Sequence, residues 1–116
     1  MVSLKNRSFL VLFALVYSLN GYALGVANHF TVQEVRTDSS GKGMAKFSSL
    51  LVAEGQLPTC STHDYHLAFD TNEPAGMAIL SLLLAAQATG KTVYAKGTGE
   101  CDVYSVVETW AWGRIE

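Results

Sequence analysis

Residues 65–97 read YHLAFDTNEPAGMAILSLLLAAQATGKTVYAKG, and this stretch decides the architecture. YHLAFD alternates, with Tyr65, Leu67 and Phe69 on one face and His66 and Ala68 on the other, which predicts a strand. TNEP then carries helix-start chemistry. Thr71 or Asn72 can cap the free amides, Glu73 suits the positive end of the helix dipole, and Pro74 is tolerated in the first turn. Gly90 marks the stop. KTVYAKG predicts a further short strand, with Val93 and Ala95 facing one way and Tyr94 and Lys96 the other.

Upstream of this unit, HFTVQEVRT is rich in β-forming residues. Its apolar set slips from Phe30 and Val32 to Val35, which predicts a strand bulged near Gln33 and Glu34. DSSGKG supplies a turn, and MAKFSSLLVA predicts a second strand with Ala45, Phe47, Ser49 and Leu51 on one face. EGQLPTCSTHD is a loop that carries Cys60. Downstream, a Gly-containing turn leads to ECDVYSVVETWAWGRI, dense in β-branched and aromatic residues and expected as one long, bent final strand. The predicted order is β-β-β-α-β-β, a mainly β fold with one helix.

The chain has 116 residues, 49% hydrophobic and 16% charged, with a formal net charge of −2. This composition excludes a disordered chain and points to one small domain. The first residues, MVSLKNRSFLVLFALVYSLNGYALGVA, place Lys5 and Arg7 before an apolar run from Phe9 to Leu19 and end in small residues. That is the secretory signal pattern, with cleavage after Ala23 or, as a second option, after Ala27. Residues 1–23 are therefore read as a signal peptide and 24–116 as the domain, exported to the periplasm or beyond. The apolar run of about 11 residues is short for a membrane anchor, which needs roughly 20. Without Lys5 and Arg7, six basic residues face ten acidic ones, an unfavourable balance for binding nucleic acid.

Cys60 and Cys101 are the two cysteines, and an even pair in a small exported domain predicts a disulfide. Closing a loop of about 42 residues would stabilise the fold by about 4 kcal/mol in the chain-entropy model. No C-x-x-C is present, and His29, His63 and His66 do not lie at zinc-ligand spacing from the cysteines, so neither a metal nor another cofactor is expected.

Three strands, one helix and two strands resemble the OB-fold, a five-stranded Greek-key barrel whose helix lies between the third and fourth strands. The resemblance spans residues 28–115. Together with the signal peptide, the single disulfide and the apolar helix, the chain also resembles the pentameric B subunits of bacterial AB-type toxins, including subtilase-cytotoxin-like ones. That resemblance implies a ring of subunits with helices lining its centre and an outer surface that binds host glycans. A homo-oligomer with a glycan or protein partner is the expectation it carries.

On a helical wheel, Met77, Ile79, Leu80, Leu82, Leu83 and Leu84 cover about 220°, where a surface helix has an apolar stripe somewhat over 100° wide. Gln87 is a polar exception inside that arc, and Ala78, Ser81, Ala85 and Ala88 make the opposite face small. Three readings stay open: a fully buried core helix, a helix partly buried against other copies through Met77, Leu80, Ser81 and Leu84, and a membrane segment, for which the run is short.

If the final strand alternates without interruption, Tyr104, Val106, Glu108, Trp110, Trp112 and Arg114 share one face. Tyr104, Trp110, Trp112 and Arg114 could then stack on a sugar and orient it. The alternative is that these aromatics fill a core or a subunit interface, and one bulge would split the set. Catalytic constellations are sparse. His63, Asp64 and His66 lie close in sequence, but no G-x-S-x-G elbow occurs, and GTGE is a turn with no helix start behind it. The function expected is a non-enzymatic exported binding module that self-associates. The alternative is a monomeric periplasmic accessory or inhibitor of an envelope enzyme.

Overall fold

The computed structural model describes residues 23–116; the expected signal peptide lies outside them except for Ala23. The described residues form seven strands and one helix: β1 (Ala23–Phe30), β2 (Val32–Thr37), β3 (Lys42–Phe47), β4 (Val52–Gly55), β5 (His66–Asp70), α1 (Pro74–Thr89), β6 (Val93–Gly97) and β7 (Trp110–Ile115). Two antiparallel sheets result, in the orders β4-β1-β6-β7 and β2-β3-β5. The fold is mainly β with a single helix among the described residues.

Two pairs of these strands, β1–β2 and β3–β4, are runs that bend from one sheet into the other. β1 runs into β2 through His29, whose φ of 59° and shifted pairing mark a bulge where the chain turns from one sheet to the other. MAKFSSLLVA likewise divides at residues 48–51, where Ser48 and Leu51 donate backbone hydrogen bonds to Thr31 and Asp64. The single second strand expected there is thus two, β3 and β4, in different sheets. A strand that changes sheet must bend, and the Ser48–Ser49–Leu50 segment at the bend is exposed. The bulge expected near Gln33 is present: Val32 pairs with Phe47 and Glu34 with Lys46, leaving Gln33 as the extra residue.

The remaining seam joins β5 to the approach to β7. A parallel bridge between Ala68 and Thr109 spans it, with the Ala68 N–H donating to Glu108 O at 2.8 Å and Thr62 N–H to Val106 O at 2.9 Å. The circuit is therefore a small barrel left partly open at one corner. Its core gathers Ala27, Val32, Phe47, Leu67, Phe69, Val93, Ala95 and Trp110 from both sheets, with Leu83 and Ala86 of α1 packed over one end.

α1 starts at Pro74 and stops at Gly90, which takes φ 69°, as expected. Its start is built differently from expectation. Glu73 is the N-cap residue and makes no side-chain cap. Thr71 Oγ1 donates instead to Gly41 O, and Asn72 Nδ2 to Ser40 O at 2.8 Å, tying the helix approach to the β2–β3 turn. Gly76 lets the first turn press against the end of β5, since a Cβ there would lie 1.7 Å from Asp70 O. At the other end Gln87 Nε2 donates to Gln33 O at 3.0 Å, so the one polar residue in the apolar arc meets a carbonyl next to the bulge.

Cys60 and Cys101 are joined, with Cα atoms 6.1 Å apart. The link ties the loop before β5 to the connection between β6 and β7. No helix among the described residues is long and apolar enough to cross a membrane.

Candidate functional site

The helix is neither fully buried nor amphipathic in the usual sense. Gly76, Leu83 and Ala86 are buried, and Ile79, Leu80 and Leu82 are half-buried against the core. Met77 (51% exposed) and Leu84 (49% exposed) face solvent, with Ala78, Ser81, Ala85 and Ala88 beside them. Those six residues span about 120° of the helix, and none carries a charge. Ser81 is satisfied locally, its hydroxyl donating to Met77 O at 3.0 Å. Of the four residues expected at a self-contact, Met77, Ser81 and Leu84 are therefore on the outer face, whereas Leu80 is turned partly into the core.

The long final strand expected from residue 100 onward is not formed. Residues 98–109 are loops and isolated bridges, and the regular strand is Trp110–Ile115. Within it Lys96 pairs with Trp112 but Gly97 with Trp110, so Ala111 is an extra residue and the two tryptophans part company. Trp110 is 6% exposed and lies in the core over Gly113; Trp112 is 45% exposed. Tyr104 is elsewhere again: its hydroxyl donates to Asp38 Oδ2, and burial together with that contact pushes the phenol up to about 12.

What does assemble on the outer face of β1, β6 and β7 is His29, Tyr94, Trp112 and Arg114. The Tyr94 and Trp112 rings are 5.6 Å apart, His29 and Tyr94 also 5.6 Å, and the Arg114 guanidinium lies 4.9 Å from the Tyr94 centroid and 5.9 Å from that of Trp112. Pairing explains the placement, because directly opposed residues share a face: Tyr94 faces Arg114, and Lys96 faces Trp112. Glu116 holds the group from its end, accepting from Arg114 Nε at 3.0 Å and meeting His29 Nδ1. Neither Tyr94 nor His29 is among the residues that the sequence pattern predicts for a ligand surface. The alternation of KTVYAKG already put Tyr94 outside, but its strand partner depends on the Ala111 bulge.

Glu108 is the opposite case, a carboxylate of 0% exposure inside the barrel. Gly25 N–H donates to its two oxygens at 3.0 and 3.1 Å, and Gly99 N–H to Oε2 at 3.0 Å. Burial raises its pKa above the ordinary carboxylate value, opposed by these amides. Gly97 makes the room, since a Cβ there would lie 1.9 Å from Oε2. With the backbone amides of Gly25 and Gly99 as its donors and no exposure to solvent, Glu108 binds β1 to the β6–β7 connection.

A cleft of about 540 Å³ opens beside β2, β3 and β5, lined by Gln33, Glu34, Arg36, Lys46, His63 and His66 among others. The ladder sets Glu34 opposite Lys46, and Lys46 opposite His66. The His63 and His66 rings meet edge to face at 5.4 Å. Among the described residues no group of three or more His, Cys, Asp or Glu side chains could hold a metal ion. Comparison with protein-family models, with curated proteins and with solved structures finds no match to this chain.

Proposed function

We propose that the chain is an exported, non-enzymatic binding module that associates with copies of itself through the outer face of α1 and binds a glycan on the Tyr94–Trp112–Arg114 surface. The observation that carries this reading is the uncharged exposed helix face. A helix needs a few charged residues on its outer side to be indifferent to company, and this one has six uncharged residues there, two of them large and apolar. A second copy suits the face because an uncharged surface does not repel itself, and Ala78, Ala85 and Ala88 allow close approach. Covering Met77 and Leu84 contributes about 1 to 2 kcal/mol for each side chain.

For the ligand, the half-exposed Trp112 beside Tyr94 offers an apolar ring face, and Arg114 supplies hydrogen-bond donors at its edge. The resemblance to B subunits of AB-type toxins, drawn from element order, agrees with both halves of the proposal. The disulfide agrees with export.

Sedimentation of the purified protein at micromolar concentration tests the first half. A multimer is expected, and a monomer would favour the accessory or inhibitor role instead. A glycan array followed by Trp fluorescence titration tests the second. Binding that survives Trp112→Ala unchanged would remove the stacking surface from the proposal.

A further inference from the structure

The cleft beside β2, β3 and β5 stands apart from both surfaces above. The domain as a whole is acidic, yet four of the cleft's lining residues, Arg36, Lys46, His63 and His66, are basic, against one carboxylate, Glu34. These basic groups are incompletely paired. Lys46 Nζ is 4.0 Å from Glu34 Oε2, too long for a hydrogen bond. Arg36 uses Nε and Nη2 on Asp38, at 2.8 and 3.1 Å, leaving three of its five N–H groups. His66 Nδ1 is buried and has no hydrogen-bond partner. A buried polar atom without a partner is uncommon and calls for a ligand, a water or a functional reason. The volume lies within the range of small-molecule sites.

We infer that this cleft is a second binding site, for a small molecule carrying an oxyanion, whose negative group is held by Lys46, Arg36 and the His63–His66 pair. The ladder prearranges these groups: Lys46 stands between Glu34 on β2 and His66 on β5. Met44 gives the floor an apolar element on which the body of such a molecule can rest. Gln33 and Gln87, linked to each other at the far end, close the cleft with amide groups.

Binding is coupled to protons. Burial, His63 and Lys46 hold the His66 pKa below its ordinary value, with Arg36 adding to them and Glu34 opposing. An anion among these groups offsets the repulsion and favours the imidazolium, so binding takes up a proton and is tighter in mild acid.

The test is a titration of the purified protein with inorganic sulfate, whose charge stays fixed across the range used, and in a second arm with acetate. The imidazole NMR signals of His63 and His66 are followed at about pH 5.5 and 7.5. Saturable shifts are expected, tighter at the lower pH, and at least about tenfold weaker in Lys46→Gln. Lys91→Gln, on the loop after α1, should leave them unchanged. Stronger binding of sulfate points to a phosphate or sulfate ester, and stronger binding of acetate to a carboxylic acid. His63→Gln serves as the second variant should Lys46→Gln not fold. No saturable shift with either ion, or equal affinity in the Lys46 and Lys91 variants, overturns the site; equal affinity at both pH values overturns the coupling to His66.

Discussion

The barrel end around Glu108 and the outer face of α1 break the usual division between inside and outside in opposite directions. One buries an ionisable group, and the other exposes apolar side chains. At Glu108 the exception is answered within the chain: two backbone amides, those of Gly25 and Gly99, point at the carboxylate, and two glycines, Gly25 and Gly97, make space for it. On α1, Met77 and Leu84 stay about half exposed, and nothing among the described residues covers them. A polar group satisfied internally is architecture. An apolar face left half exposed is the feature on which the proposed self-association rests.

The first half of that contrast breaks most visibly at Gly97. An added Cβ would overlap Glu108 Oε2, its Cδ and its Cγ. Gly97→Ala should cost about 3 kcal/mol in urea unfolding, and Glu108→Ala about as much, through two orphaned amides and a cavity. The double variant is the sharper experiment. With the carboxylate gone the new methyl group has room, so the combined loss should fall short of the sum by about 1 to 3 kcal/mol. Full additivity would mean that the glycine and the carboxylate do not share the space they occupy.

The second half breaks at Leu84. Leu84→Glu puts a charge into every copy of the uncharged face and should weaken self-association about 100-fold, equivalent to about 2.8 kcal/mol. The fold of the single protomer should change by less than about 0.5 kcal/mol, because the site is half exposed. Met77→Glu, about two turns away, should act in the same direction. Sedimentation and urea unfolding on the same samples separate the two quantities.

A smaller effect distinguishes Glu108 from the surface carboxylates. Its pKa is raised in the folded state, so the protein binds that proton more tightly folded than unfolded. The stability this contributes is fully present below the unfolded-state value of about 4.5 and is lost as pH rises through the folded-state pKa. The stability of the native protein relative to Glu108→Gln should therefore decline from about pH 4 upward, and flatten once Glu108 has ionised in both states. Asp38 runs the other way: its hydrogen bonds from Arg36 and Tyr104 lower its pKa, so its contribution disappears as pH falls.

Which parts of this were legible beforehand follows from which patterns are local. The α1 boundaries rest on Pro74 and Gly90, and the Gln33 bulge rests on a slip in apolar spacing; each is visible within a few residues, and each is found in place. The disulfide rests on count and context, and it too is found. The split of MAKFSSLLVA was hidden because the turn from one sheet to the other is imposed by residues 64 and 65, remote in sequence. The tryptophan pair was misread for a similar reason. Trp-Ala-Trp alternates correctly, but Gly97 on β6 accepts Trp110 where strict register would place Ala111. Glu108 left a usable trace, a lone acid inside VVETWAW following the glycines of KGTG, although nothing local pairs the two.

The smallest change keeps the Leu84 result honest. Gly90 ends α1 at φ 69°, and an added Cβ meets nothing within 4 Å, so Gly90→Ala acts through backbone conformation alone. It should lower protomer stability by about 1 kcal/mol without touching Glu108 or the outer helix face. Self-association should stay as it was once the sample is fully folded. If Gly90→Ala weakens association as far as Leu84→Glu does, then association reports how firmly α1 is formed, and the uncharged face loses its claim to be the contact itself. Should association persist while stability falls by the expected amount, the two properties of the helix are separable. The exposed apolar side chains are then the part that a second copy reads.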